Sequence, residues 1–162
     1  MIPLRDDVRA SRFCLVNYLL IGANILIFIY ELSLGDRVDT FISQWAMTPI
    51  QVVTHPLAWR PGAPPTVATV FTSMFLHGGW EHLLGNMLFL WVFGDNVEDA
   101  MGRLRYLAFY LLSGLAAAAA QVLVTADSPL PSLGASGAVS GVLGAYLVLY
   151  PRARVLTWVP VF

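Results

Sequence analysis

Residues 15–34 form a run of twenty positions interrupted only by Asn17, Asn24 and Glu31. About 20 apolar residues cross the roughly 30 Å of a bilayer's hydrocarbon as one helix, so this run most constrains the fold. Residues 106–124 and 133–150 repeat the pattern, and residues 83–97 give a shorter version. Arg9 and Arg12 ahead of the first run suggest a signal peptide. That run is longer than the usual signal core and no small-x-small cleavage site follows it, so an uncleaved helix is expected. Hydrophobic residues make up 57% of the 162 residues and charged residues 12%, about half the usual charged share. So few charges cannot cover a water-soluble domain, which excludes a soluble enzyme, a disordered tail and a secreted disulfide scaffold. The expected fold class is an all-α polytopic transmembrane helix bundle.

The nine basic residues are all arginine and set the orientation. Arg5, Arg9 and Arg12 precede the first span, Arg103 and Arg105 separate the second from the third, and Arg152 and Arg154 follow the fourth. With the N-terminus inside, these seven are cytoplasmic and only Arg37 and Arg60 lie outside, as the positive-inside rule prefers. The expected organisation is a cytoplasmic tail, residues 1–14, followed by a membrane domain, residues 15–162, with an outer loop at 35–76. That loop holds five of the ten prolines along with Trp45 and Trp59, and it is too apolar for disorder. It is expected at the outer interface, with its tryptophans at headgroup depth. The apolar stretch at 155–162 reads as the start of an unfinished element. A net charge of −1 offers no field for nucleic acid. The single Cys14 reads as a small packing residue, and no Cys/His/carboxylate cluster implies a metal or other cofactor.

Polar groups inside spans are expensive, so each is a functional hypothesis. The acidic cluster at 95–99 reads as a solvated helix end pairing with Arg103 or Arg105, and Glu31 as another solvated end. His82 and Asn86, four apart, share one helix face, which suits a structural interhelical bond as well as a site. His77 falls in the preceding loop or first turn, with structural and catalytic roles both open. Gly134-Ala135-Ser136-Gly137 opens the last span. Its small residues also suit close packing, as two rows: Gly137, Gly141 and Ala145; Ser136, Ser140 and Gly144. Depth links the two features. Counting from Tyr150, Ser136 lies fourteen residues up, roughly 21 Å; counting from Asp95, His82 lies thirteen up, roughly 20 Å. A candidate nucleophile, an imidazole and an amide therefore share one layer.

At these residues the chain resembles the rhomboid family of intramembrane serine proteases. The resemblance covers residues 72 to about 154 and rests on His77, His82 and Asn86 in FLHGGWEHLLGN and on Ser136 in GASG. It implies that Ser136 is the nucleophile and that His82 and Asn86 form the oxyanion hole, with His77 and Gly134 as site support. The implied substrates are single-span membrane proteins in a bilayer, cut near the outer face. The expected location is a membrane of the bacterial inner type, with the N-terminus cytoplasmic. Trp59-Arg60 stands farther from the histidines than the family's Trp-Arg pair, and no role is carried over to it. The family's general base is a histidine on a sixth helix, whereas this sequence has His55, His77 and His82 only. The expectation is therefore a four-span portion, truncated after the fourth span and inactive alone, because a serine hydroxyl needs a base. One alternative is a non-catalytic rhomboid-like binder of transmembrane clients. Another is a small transporter subunit using Glu31 and Asp95.

Overall fold

The computed structural model describes residues 2–59 and 61–159; Met1, Arg60 and residues 160–162 fall outside the described residues. Half of the Trp59-Arg60 pair and the end of the 155–162 stretch therefore lie outside them. The described chain is a helical bundle with one small sheet. Strand β1 (Ile2–Asp6) leads to helix α1 (Leu15–Ser33). The loop at 35–76 winds through α2 (Val38–Trp45), α3 (Pro49–Thr54) and α4 (Thr69–Thr72). Helix α5 (Trp80–Phe89) runs through a π-helical turn, Leu90–Gly94, into α6 (Asp95–Met101). Helices α7 (Arg103–Val124) and α8 (Ser136–Leu149) follow, then strand β2 (Val155–Trp158). By length and apolarity, α1 and α7 suffice to cross a membrane, while α8 is a shorter apolar helix.

One junction fastens the end of the bundle where α1 begins. The first N–H groups of a helix lack partners within it. Cys14, ahead of α1, supplies no side-chain cap. Instead the buried Glu98 carboxylate, on α6, accepts the N–H groups of Val16 at 3.1 Å and Asn17 at 2.6 Å. The Asn17 amide, itself fully buried, donates to the Leu90 carbonyl in the π turn at 2.9 Å and accepts the Tyr106 hydroxyl at 2.8 Å. Asn17 thereby joins α1, the π turn and α7 in a single contact. Gly94 faces it so closely that a Cβ there would overlap the Asn17 amide and the Tyr106 hydroxyl.

Helix α6 ends at Gly102, whose φ of +82° lets the chain turn sharply into α7. Helices α7 and α8 then approach through small residues. A Cβ on Gly137 would lie 2.5 Å from the Ala117 Cβ, so the Gly137–Gly141 row is the contact with α7. The other row, Ser136, Ser140 and Gly144, is exposed.

Several expectations are corrected or refined. The 155–162 stretch, read as the start of an unfinished element, holds a strand: Val155–Trp158 pairs antiparallel with Ile2–Asp6, inside the region read as a tail. Such a pairing, about 150 positions apart, leaves no local signature. The 95–99 cluster does not pair with Arg103 or Arg105. Asp99 meets Ser11 and Arg12, Glu98 caps α1, and Asp95 accepts the Asn96 N–H. Glu31 is not solvated but 2% exposed. The 83–97 span is the middle of a longer rod, and α8 starts at Ser136 rather than 133 because Ser132 and Gly134 bond to the outer loop.

Asn17→Ala would leave the buried Leu90 carbonyl and Tyr106 hydroxyl without that partner, at about 1–3 kcal/mol for each orphaned group. A clear fall in the unfolding midpoint in detergent is expected, against little change for Leu19→Ala on the exposed face. Equal midpoints for the two would refute the junction's role.

Candidate functional site

The site forms at the other end of the bundle, where α5 begins and α8 begins. His82 and Asn86 lie one turn apart on α5; Asn86 is buried and His82 half-buried. His77, in the loop ahead of α5, folds back onto both. Its ring centroid lies 5.2 Å from that of His82, and the Asn86 Nδ2 lies 3.2 Å from its Nε2. With the amide nitrogen as donor, Nε2 is the acceptor, which puts the ring proton on Nδ1, a buried atom without a hydrogen-bond partner among the described residues. One N–H of Asn86 is thus engaged and its second remains for the cavity.

His77 is held from behind. Its backbone N–H donates to the Glu31 carboxylate, 3.3 Å from each oxygen, and Phe28 meets its ring edge-on. Burial, and secondarily the charge of a nearby His82, lowers the His77 pKa to about 4. The imidazole is therefore neutral at physiological pH, consistent with an Nε2 that accepts.

The entry to α8 is shaped by Gly134. Its N–H donates to the Ser73 carbonyl at 2.8 Å, and its φ is +125°. A Cβ on it would fall 2.5 Å from both Cε1 and Nε2 of His82, so the His82 ring packs directly on this backbone. Ser136 is the first residue of α8 and is exposed. His82, Asn86 and Ser136 line one cavity, with Phe89, Val139 and Ser140 as walls. A second cavity, bounded by Met74, Gly114 and Gln121, reaches Ser136 from the α7 side. Among the described residues, no hydrogen bond joins Ser136 to His77 or His82.

The structure thus brings together Ser136, His82, Asn86 and Gly134, with His77 behind Asn86. Trp59 is 73% exposed, in the outer loop. Two supporting groups escaped sequence reasoning. Glu31 carried a usable signal, a carboxylate inside an apolar run, but was assigned to solvent. The Ser73 carbonyl is backbone and carries no side-chain signal.

Comparison with known proteins places these residues in context. The family model of the Rhomboid domain matches residues 64–162. The chain is 30% identical over 147 residues to "Rhomboid protein 1, mitochondrial" of Saccharomyces cerevisiae, covering 88% of this chain and 38% of that protein. It is 34% identical over 132 residues to "Rhomboid protease GluP" of Bacillus subtilis, covering 81% and 24% respectively. Over 78 residues it is 38% identical to "RHOMBOID-like protein 5" of Arabidopsis thaliana, covering 48% and 25%. The matched part therefore spans between 24% and 38% of these relatives' length.

Two outcomes follow from the geometry. Gly134→Ala should displace the His82 ring and lower the unfolding midpoint, whereas Gly144→Ala, with open space at its Cβ, should not. Stability should also fall as pH drops from about 6.5 towards 4. In that window the unfolded chain binds a proton at His77 that the folded chain refuses. His77→Asn should flatten that slope in a denaturation series; an unchanged slope would remove His77 as its source.

Proposed function

Because the chain belongs to the rhomboid family, we propose that these residues form the nucleophile and oxyanion-binding part of an intramembrane serine endopeptidase. As rhomboids are, it is an integral membrane protein. The observation that carries the proposal is the single cavity shared by Ser136, His82 and Asn86. The Ser136 Oγ attacks the scissile carbonyl carbon of a transmembrane protein substrate. The carbonyl oxygen becomes an oxyanion, and the free Asn86 N–H and an N–H of His82 donate to it. Preorganised donors of this kind stabilise developing charge without reorganising at the moment of reaction. The first turn of α8, where Ser136 sits, adds the positive end of the helix dipole. The Ser136 proton passes to a base, for which the family uses a histidine on a sixth helix. None of His55, His77 or His82 is given that role.

The matched depths of Ser136 and His82 support cleavage near the outer face, with four spans at about 15–34, 83–97, 106–124 and 133–150. Reporter fusions after Asp127 and after Arg154 should report outside and inside; the reverse would put the site at the wrong face. The alternative, a binder that holds transmembrane clients without cutting them, would use the same cavity and needs no base.

In the polypeptide bearing the family's full helix set, Ser136→Ala should abolish cleavage of a transmembrane substrate. Asn86→Ala should slow it by about 10²–10³, the scale for one oxyanion donor. Cleavage that survives Ser136→Ala would end the assignment of Ser136 as nucleophile, and no cleavage by the unsubstituted polypeptide would leave the binder. Ser136-dependent cleavage by residues 1–162 alone would make His82 or His77 the base and end the oxyanion assignment of His82.

A further inference from the structure

The end of the bundle opposite the site carries the chain's main charge asymmetry. Strand β1, the start of α1, the α6–α7 corner and the exit of α8 meet there. The Arg103 guanidinium donates to the Phe13 carbonyl at 3.3 Å, the Tyr150 hydroxyl to the Asn96 carbonyl at 3.2 Å, and the Arg154 N–H to the Asp7 carboxylate at 2.8 Å. Seven arginines gather on this end, namely Arg5, Arg9, Arg12, Arg103, Arg105, Arg152 and Arg154, and all are exposed.

Five carboxylates share the end, enough to neutralise most of that charge if they faced it. They are set back from the surface instead: Glu98 is buried, Asp6, Asp95 and Asp99 are half-buried, and only Asp7 is exposed. Asp6 accepts from the Asn96 amide and the Tyr146 hydroxyl, and Asp7 from the Arg154 backbone. Asp95 accepts the Asn96 N–H, and Glu98 accepts the first N–H groups of α1. Asp99 accepts the backbone N–H and hydroxyl of Ser11. Among the described residues, the one ion pair at this end is Arg12–Asp99 at 3.9 Å. Only Asp99 meets a guanidinium; the other arginines at this end make no ion pair among the described residues and point outward.

Among the described residues the opposite end shows the reverse balance. There Arg37 is exposed beside Asp36, Asp39, Glu81 and Asp127, also exposed. The arginine end also carries outward apolar side chains: Leu104 is 83% exposed, Phe13 66% and Trp158 55%. Arginines interleaved with aromatic and aliphatic groups at the end of a membrane bundle match headgroup chemistry. The guanidinium forks pair with phosphate oxygens, and the apolar groups enter the acyl boundary beneath.

We propose that this end is a docking surface for anionic phospholipid headgroups, which the bundle selects from a mixed bilayer. The selectivity arises because seven guanidiniums are exposed at this end against one exposed carboxylate, Asp7. It is electrostatic and exposed, so salt weakens it.

The test is lipid retention. The protein is equilibrated in phosphatidylcholine bilayers containing a minor share of phosphatidylglycerol, and the lipids that remain bound are weighed by mass spectrometry. Phosphatidylglycerol should be enriched on the order of fivefold over bulk, the scale of one well-placed arginine at a charged surface. High salt should remove the enrichment. The variant with Arg9→Gln, Arg105→Gln and Arg152→Gln should lose it, and each single substitution should lower it. Arg37→Gln, at the other end, should keep it. A bulk-like ratio around the wild type would overturn the proposal, as would loss with Arg37→Gln equal to that of the triple variant. Displacement by inorganic phosphate at an ionic strength where chloride leaves the enrichment intact would overturn it too, by revealing a phosphate-ion site rather than a headgroup surface. The readout requires no proteolysis, so it stands or falls apart from the function of Ser136.

Discussion

A polar group withdrawn from water must find a partner inside the protein, and the bundle is organised around the place where this demand is greatest. Asn17 and Glu98 are both buried at the end where α1 starts. Each would be costly alone. Together with the first N–H groups of α1, the Leu90 carbonyl and the Tyr106 hydroxyl, they satisfy one another. Every partner comes from a different element, so satisfying the polar groups also fixes how α1, α6 and α7 meet. Polar bonding here does the work that apolar burial does in a water-soluble core, because lipid gives apolar side chains little reason to leave it.

The same logic explains the π turn at Leu90–Gly94. Turns of this kind concentrate at functional positions in helices. Here the turn presents the Leu90 carbonyl to the Asn17 amide and brings Gly94 against it, where any side chain would collide. It lies midway along the rod whose outer end carries His82 and Asn86. A change in how α1 grips this turn would therefore alter the register between the α5 face and the start of α8. The level of the inner ends is fixed separately, by the Tyr150 hydroxyl on the Asn96 carbonyl. That bond ties the end of α8 to the start of α6.

What the sequence made legible follows from which signals are local. Apolar runs are local, so the helices near 15–34, 83–97, 106–124 and 133–150 could be anticipated. Helix-face spacing is local too, which linked His82 to Asn86 and separated the Gly137 row from the Ser136 row. The β1–β2 pairing depends on residues about 150 positions apart and was missed. Glu31 and Glu98 were misread because the cost of a charge in an apolar setting flags a carboxylate without naming its partner. In both cases the partner is a backbone N–H, on His77 or at the start of α1, and backbone donors carry no letter in the sequence.

Asn86 shows how the candidate site inherits this economy of polar groups. A carboxamide offers two N–H donors, and an oxyanion hole needs at least one aimed at a fixed point. Left free, the amide would rotate and its dipole would follow the solvent. Engaging one donor on the Nε2 of His77 fixes the plane of the amide and so the direction of the other. That arrangement works only while His77 is neutral, since a protonated imidazole would offer a second donor where an acceptor is required. Burial lowers the His77 pKa to about 4, and Glu31 holds the loop that carries it. On this argument, the charge-averse surroundings that make His77 a poor base make it a good clamp for Asn86.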